Sequence, residues 1–215
     1  MESVLVANPK GGSGKTTLAT NLAGYLARAG RRVMLGDIDR QQSSREWLKL
    51  RPSSLPQIRT WDVEINDPDR PARPPLGTTH VVLDSPAGLH GKKLAHVLKL
   101  VNRVLVPLQP SLFDILATRD FLSVLLDEKV VRHGRATVAV VGMRVDARTR
   151  AAHELERFLA AYDLPVLGYL RDTQLYVQAA AHGLTVFDLP PARAGKDIEQ
   201  WQPVVDWLET PSAQG

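Results

Sequence analysis

Residues 8–17 read NPKGGSGKTT. Gly11, Gly12 and Gly14 can take backbone conformations closed to residues with a Cβ. A loop built from them turns successive N–H groups inward, as a nest for an anion. Lys15 adds a mobile positive charge for the β- and γ-phosphates of a nucleotide, and the Thr16 hydroxyl suits Mg²⁺. The spacing follows G-x-x-x-x-G-K-[ST], relaxed at its first glycine. The flanks agree. SVLVAN, residues 3–8, is a short buried-strand pattern. KTTLATNLAGYLARAG, residues 15–30, has apolar residues at helical spacing and ends in a glycine suited to a helix stop. Strand, glycine-rich loop and helix together make a phosphate site, because the helix N-terminus also favours negative charge. A merely flexible turn would leave the agreement of glycines, Lys15, Thr16 and flanks without a cause.

The pattern continues along the chain. Further strands are expected at residues 32–37, 57–61, 80–84, 103–107, 136–142 and 166–169. Helices are expected at 41–49, 91–100, 112–131, 149–161, 174–181 and 197–208. Such alternation predicts an α/β fold: one P-loop NTPase domain over residues 1–210, a mostly parallel twisted sheet with helices on both faces. HVVLD and RVLVPL have the continuous apolar character of strands buried on both sides. NDPDRPARPPLGTT, residues 66–79, reads as a surface loop, and residues 211–215 as a flexible tail.

Ligands in open α/β sheets bind at the carboxyl ends of the strands. VMLGDIDRQQSS ends a strand with Asp37 and Asp39, and HVVLDSPAG ends another with Asp84. Near a phosphate these carboxylates call for Mg²⁺, which keeps waters that they can hold. The alternative is that each caps the helix or turn that follows. Three of them in a chain with a phosphate loop favour the metal.

Composition sets the bounds. The 215 residues suit one domain with an ample core; hydrophobic content of 44% and charged content of 23% are those of a globular protein. Cysteine is absent, which excludes disulfides, thiolate metal sites and a catalytic thiol. No apolar run approaches the roughly 18 residues of a membrane span, and no signal peptide precedes the first strand, so the expected location is the cytoplasm. A net charge of +4 allows an acidic partner without requiring one.

Lys10 is unexplained by the phosphate loop alone, which already has its lysine. With it, KGGSGKT resembles the deviant Walker A family, K-G-G-x-G-K-[ST], of ParA and MinD ATPases. The resemblance implies ATP as the nucleotide, cradled by Gly11, Gly12, Ser13, Gly14, Lys15, Thr16 and Thr17. It implies a homodimer with two ATP molecules sandwiched, in which Lys10 touches the partner's phosphates. Asp37 and Asp39 match the switch I motif D-x-D-P-Q, with Arg40 in place of its proline; Asp84 matches the Walker B aspartate. The roles implied are catalytic for Lys10, Lys15 and Asp39, with Asp39 acting on the attacking water. Mg²⁺ falls to Thr16, Asp37 and Asp84.

VVGMRVDARTR and LGYLRDTQLYVQ resemble the late family segments around adenine, which places Met143, Arg144, Arg171, Asp172 and Thr173 at the base. A polarisable Met143 wall is one account, ordinary core packing another. The missing thiolates exclude the iron–sulfur members. Trp201, Val204, Val205 and Leu208 form a stripe that a MinD-like membrane helix would need, but the segment from Asp197 to Gly215 has no Lys or Arg for anionic lipid. No membrane is therefore expected, and that helix is expected to pack on the domain. The chain resembles the short ParA type, without an N-terminal DNA-binding domain. That type implies non-specific DNA binding at the nucleoid, and a small centromere-binding or cargo-adaptor protein as partner. Arg148 and Arg150 are the candidate DNA contacts, against the alternative of a solvated helix start. A MinD-like positioning ATPase, a metabolic P-loop enzyme and a non-hydrolysing scaffold remain open.

Overall fold

Alternate residues of the first strand feed two different cores. β1 (Glu2–Val6) sends Val4 and Val6 to one face of the sheet, and Leu5 to the other, followed by Ala7. A strand covered on both faces shows this split, because successive side chains point to opposite sides. The computed structural model describes residues 1–61, 63, 74–146 and 148–211.

Among the described residues, seven strands pair in the order β3-β2-β4-β1-β5-β6-β7, every pairing parallel. The others are β2 (Val33–Asp37), β3 (Ile58–Arg59), β4 (His80–Asp84), β5 (Arg103–Leu108), β6 (Thr137–Met143) and β7 (Val166–Leu170). One face is covered by α1 (Lys15–Arg28), α2 (Ser43–Leu50), α7 (Gln174–Ala180), α8 (Pro191–Gln200) and α9 (Gln202–Glu209). The other carries α3 (Gly91–Leu98), α4 (Leu112–Asp127), α5 (Lys129–Arg132) and α6 (Arg150–Leu159). The two-sided α/β sheet is as expected, and wholly parallel.

α1 follows from its sequence. Leu18, Ala19, Leu22, Ala23 and Leu26 fall on one face and are buried. Gly24 packs where an added Cβ would sit 2.4 Å from Thr185. Pro107 is tolerated inside β5 because Ala7 N–H takes the Leu105 carbonyl and β1 pairing stops there. Alternation aims Pro107 the same way, and the Asn8 side chain donates to its carbonyl at 2.7 Å.

Several boundaries differ from expectation. The strand expected at 57–61 shrinks to Ile58–Arg59. α2 begins at Ser43, not residue 41, because Gln42 takes a left-handed conformation with φ 52°. The helix expected over 112–131 breaks at Glu128, which is extended, and the turn seats Val130 in the core. The helix expected over 197–208 is two helices meeting at Trp201, with Pro203 in the first turn of the second. The proline suits a helix start and not an interior. Residues 66–73 of the expected surface loop, and 212–215 of the expected tail, lie outside the described residues.

Three of the four residues of the C-terminal stripe face inward, and the fourth, Val205, is half-buried. Trp201 and Val204 are fully buried and Leu208 nearly so. Trp201 Nε1 donates to the Tyr176 hydroxyl at 3.0 Å, and its ring meets Phe187 edge-on. The buried Arg103 fastens the end of α9. It donates to the carbonyls of Trp207 and Thr210 and stacks 4.9 Å from the Trp207 ring.

Candidate functional site

The carboxyl ends of β1, β2 and β4 deliver the 8–15 loop, Asp37 with Asp39, and Asp84 to one edge of the sheet. The loop is held at both ends. The buried Asn8 donates to Pro107 O and to Thr118 Oγ1, and accepts from Lys10 N–H at 2.8 Å. Gln109 Nε2 donates to Gly12 O at 2.5 Å. Gly12 and Gly14 sit at φ 77° and 97°, where a side chain is strained. A Cβ on Gly14 would also lie 2.8 Å from Met143 Cε. Gly11 has neither constraint.

Lys15 is buried at the start of α1. Its ammonium donates to Lys10 O at 2.9 Å and reaches Ser13 Oγ at 3.5 Å. Burial lowers its pKa, opposed by the charges of Asp84 and Asp39. The Lys10 side chain is exposed, with no hydrogen bond or ion pair to a described residue. Thr16 and Thr17 continue from the cradle into α1.

Asp84 is almost completely buried. Burial pushes its carboxyl up to about 7, helped by Asp37 and opposed by the Thr16 hydroxyl, Lys15 and Ser44. Its Oδ1 has no hydrogen-bond partner among the described residues. An orphaned, desolvated carboxylate oxygen beside a hydroxyl fits a cation. Asp37 is otherwise engaged. Its Oδ2 accepts from Ser44 N–H (2.9 Å), Ser44 Oγ (2.8 Å) and Arg45 N–H (3.3 Å), and its Oδ1 from Asp39 N–H. Asp37 therefore does cap α2, as the alternative had it; this leaves water-mediated contact as its route to a metal. Asp39 is half-exposed and accepts from Gln41 N–H at 3.0 Å. Among the described residues, no cluster of three His, Cys, Asp or Glu side chains could hold a metal alone.

A pocket of about 450 Å³ opens beside the loop. It gathers Gly14, Thr17, Met143, Arg144, Arg171, Asp172 and Thr173, joined by Tyr176 and Val177. Met143 is both core and wall: it is buried, and its side chain lies against Gly14. Arg144 is exposed with φ 54°, a strained value for a residue with a side chain. Arg171 rims the pocket, but its guanidinium is committed to the buried Asp197 at 2.8 and 3.0 Å. Thr173 caps α7 by accepting from Leu175 N–H.

Arg148 and Arg150 project from the start of α6, about nine-tenths exposed. Each has an acidic neighbour: Arg148 makes a two-point contact with Asp146, and Arg150 meets Glu154 at 3.2 Å. Ser44, Asn8 and Gln109 were not singled out from sequence. Ser44 had a signal, standing seven residues after Asp37 at a helix start; the other two act across about a hundred residues and had none.

The family model for the CobQ/CobB/MinD/ParA nucleotide binding domain matches residues 4–186. The chain is 32% identical to maintenance of carboxysome distribution protein A of Gloeobacter kilaueensis, over 96% of this chain and 93% of that one. It is 28% identical to the chromosome-partitioning ATPase Soj of Thermus thermophilus, over 74% and 76% of the two chains. Its fold matches a putative plasmid partition protein of Borrelia burgdorferi B31 bound to AMPPNP, with TM-score 0.69, 17% identity, and 96% and 99% of the chains covered.

Proposed function

The chain belongs to the CobQ/CobB/MinD/ParA family of nucleotide-binding domains, and from that premise we propose that it is an ATPase that dimerises on ATP and positions a cargo along DNA. The observation that carries this is the pairing of lysines on one loop. Lys15 is buried over the cradle, while Lys10 stands exposed with its charge unpaired among the described residues.

Hydrolysis needs positioning and charge neutralisation more than covalent chemistry. The phosphates lie in the N–H nest of residues 11–17, and take the place of the Lys10 carbonyl as acceptor of the Lys15 ammonium. The Thr16 hydroxyl, with Asp84 and Asp37 through water, would hold Mg²⁺, which would supply positive charge against the phosphates. Asp39 orients the attacking water and takes its proton as the bond from the γ-phosphorus to the ADP oxygen breaks. A partner's Lys10 adds charge from across the interface. The base lies in the 450 Å³ pocket, between Met143 and the residues 171–173 turn.

Relatives named for carboxysome distribution, chromosome partitioning and plasmid partition share this domain. Those names support a large cargo; a small adaptor protein that stimulates turnover completes the proposal. Arg148 and Arg150 serve as phosphate-backbone contacts. The burial of Trp201, Val204 and Leu208 argues against a membrane-binding C-terminal helix. No helix among the described residues is long and apolar enough to cross a membrane.

Phosphate release with and without duplex DNA, alongside light scattering with a slowly hydrolysed ATP analogue, tests the proposal. ATP-dependent dimers and DNA-responsive turnover are expected. Turnover that requires a small-molecule acceptor would make this a metabolic enzyme, and binding without turnover a scaffold.

A further inference from the structure

Next to the phosphate cradle, the carboxyl ends of β2 and β4 open into a second cleft of about 770 Å³. Residues 38–42 form one wall and residues 86–93 the other. Four basic side chains line it: Arg40, His90, Lys92 and Lys93, all exposed. No hydrogen bond or ion pair to a described residue engages Arg40, Lys92 or Lys93.

The carboxylates in the same cleft are already committed. Asp37 accepts four donors and Asp39 accepts from Gln41 N–H. Asp37 and Asp39 keep their charge, but among the described residues the charged side chains left without a partner in the cleft are the cations Arg40, Lys92 and Lys93. Gln42, also in the wall, is held at φ 52°. Non-glycine residues in this region cluster at ligand clamps and switches. Arg40 stands where the motif D-x-D-P-Q has proline, so one of the cations belongs to this chain and not to the motif.

We propose that this cleft docks an acidic peptide segment, its carboxylates received by Arg40, Lys92 and Lys93. Cavity shape and charge select that occupant. A gap between two loops admits a single extended chain, whereas a duplex is a broad rod that lies across its mouth. A peptide spaces its carboxylates residue by residue and can set them on the three cations. Arg40 follows Asp39 directly, so an occupied cleft holds the loop that positions water. This last consequence rests on the ATPase proposal; the binding does not.

The test is fluorescence anisotropy of a short labelled peptide of alternating Glu and Ser, titrated with the full chain at low salt and without nucleotide. Saturable binding is expected, weakened about tenfold or more by Lys92→Glu/Lys93→Glu and by Arg40→Glu. Lys92→Gln/Lys93→Gln should give a smaller loss, with an unchanged thermal melt as the folding control. Arg148→Glu should leave peptide affinity intact. Absence of saturable binding, or equal affinity in the charge-reversed variants, overturns the proposal. So does a duplex oligonucleotide that loses affinity in those variants while the peptide does not bind. In a second arm the peptide is added to a phosphate-release assay. Peptide binding without any ATP turnover would defeat the ATPase proposal and leave the docking site standing.

Discussion

The ammonium of Lys15 donates to the backbone carbonyl of Lys10 at 2.9 Å. The two lysines of the loop thus have different environments. Lys15 is folded back over the cradle and kept desolvated, while the Lys10 side chain points to solvent from the same residue that supplies the carbonyl. A main-chain acceptor is a placeholder that a phosphate oxygen replaces with a stronger, charge-assisted bond.

Lys10→Ala leaves that carbonyl in place. It should spare most nucleotide binding by the monomer and abolish the ATP-dependent dimer. Light scattering with a slow ATP analogue decides it, and wild-type dimerisation in the variant would remove Lys10 from any interface.

Asp39→Ala should still bind nucleotide and dimerise, with hydrolysis slowed by about 10²–10⁴-fold, the usual loss for a general base. Its carboxylate supports only one turn contact, to Gln41, so the fold should hold. Single-turnover phosphate release is the measurement.

Gly14→Ala meets two obstacles, the φ of 97° and Met143 Cε at 2.8 Å. The left-handed backbone alone should cost about 1–2 kcal/mol. Adding Met143→Ala removes the clash and not the φ, so the double variant should still bind nucleotide more weakly than Met143→Ala alone. Equal affinity of those two would mean that the side chain was the whole obstacle.

The Asp84 carboxyl titrates near 3.8 in an open chain and near 7 when folded. Between those values the folded state holds the extra proton. Stability of the ligand-free protein should therefore fall as pH rises across that window, and level off above it. Asp84→Asn has no such slope. Its advantage over wild type should be absent near pH 4 and reach a few kcal/mol by pH 8, a scale set by about 1.4 kcal/mol per pKa unit. Urea melts at several pH values measure it; parallel slopes for both proteins would remove Asp84 as the cause.

Arg148→Ala/Arg150→Ala should weaken DNA binding evenly across sequences and reduce the salt slope by about two per protomer, or about four for the dimer. Both arginines are solvent-exposed, and their contacts to Asp146 and Glu154 are easily exchanged for phosphate. Gel shifts with ATP and magnesium at two salt concentrations test this. An unchanged slope would place the DNA surface elsewhere.

Much of the fold was legible along the chain because its signals are local. The glycines, Lys15 and Thr16 of one loop, the helical spacing of Leu18, Leu22 and Leu26, and the apolar runs of β1, β4 and β5 need no partner to be recognised. The stripe of Trp201, Val204 and Leu208 was equally visible. Its burial against Tyr176 and Phe187 was the expected outcome, but only packing could choose core over lipid. What tertiary structure alone decided were the contacts made across the sheet. Asn8 and Gln109 clamp the loop from strands about a hundred residues apart in sequence. Asp197 claims Arg171 at the rim of the base pocket. Buried polar groups must find partners wherever the fold brings them. Those partners lie on other elements, and no spacing along a single segment encodes them.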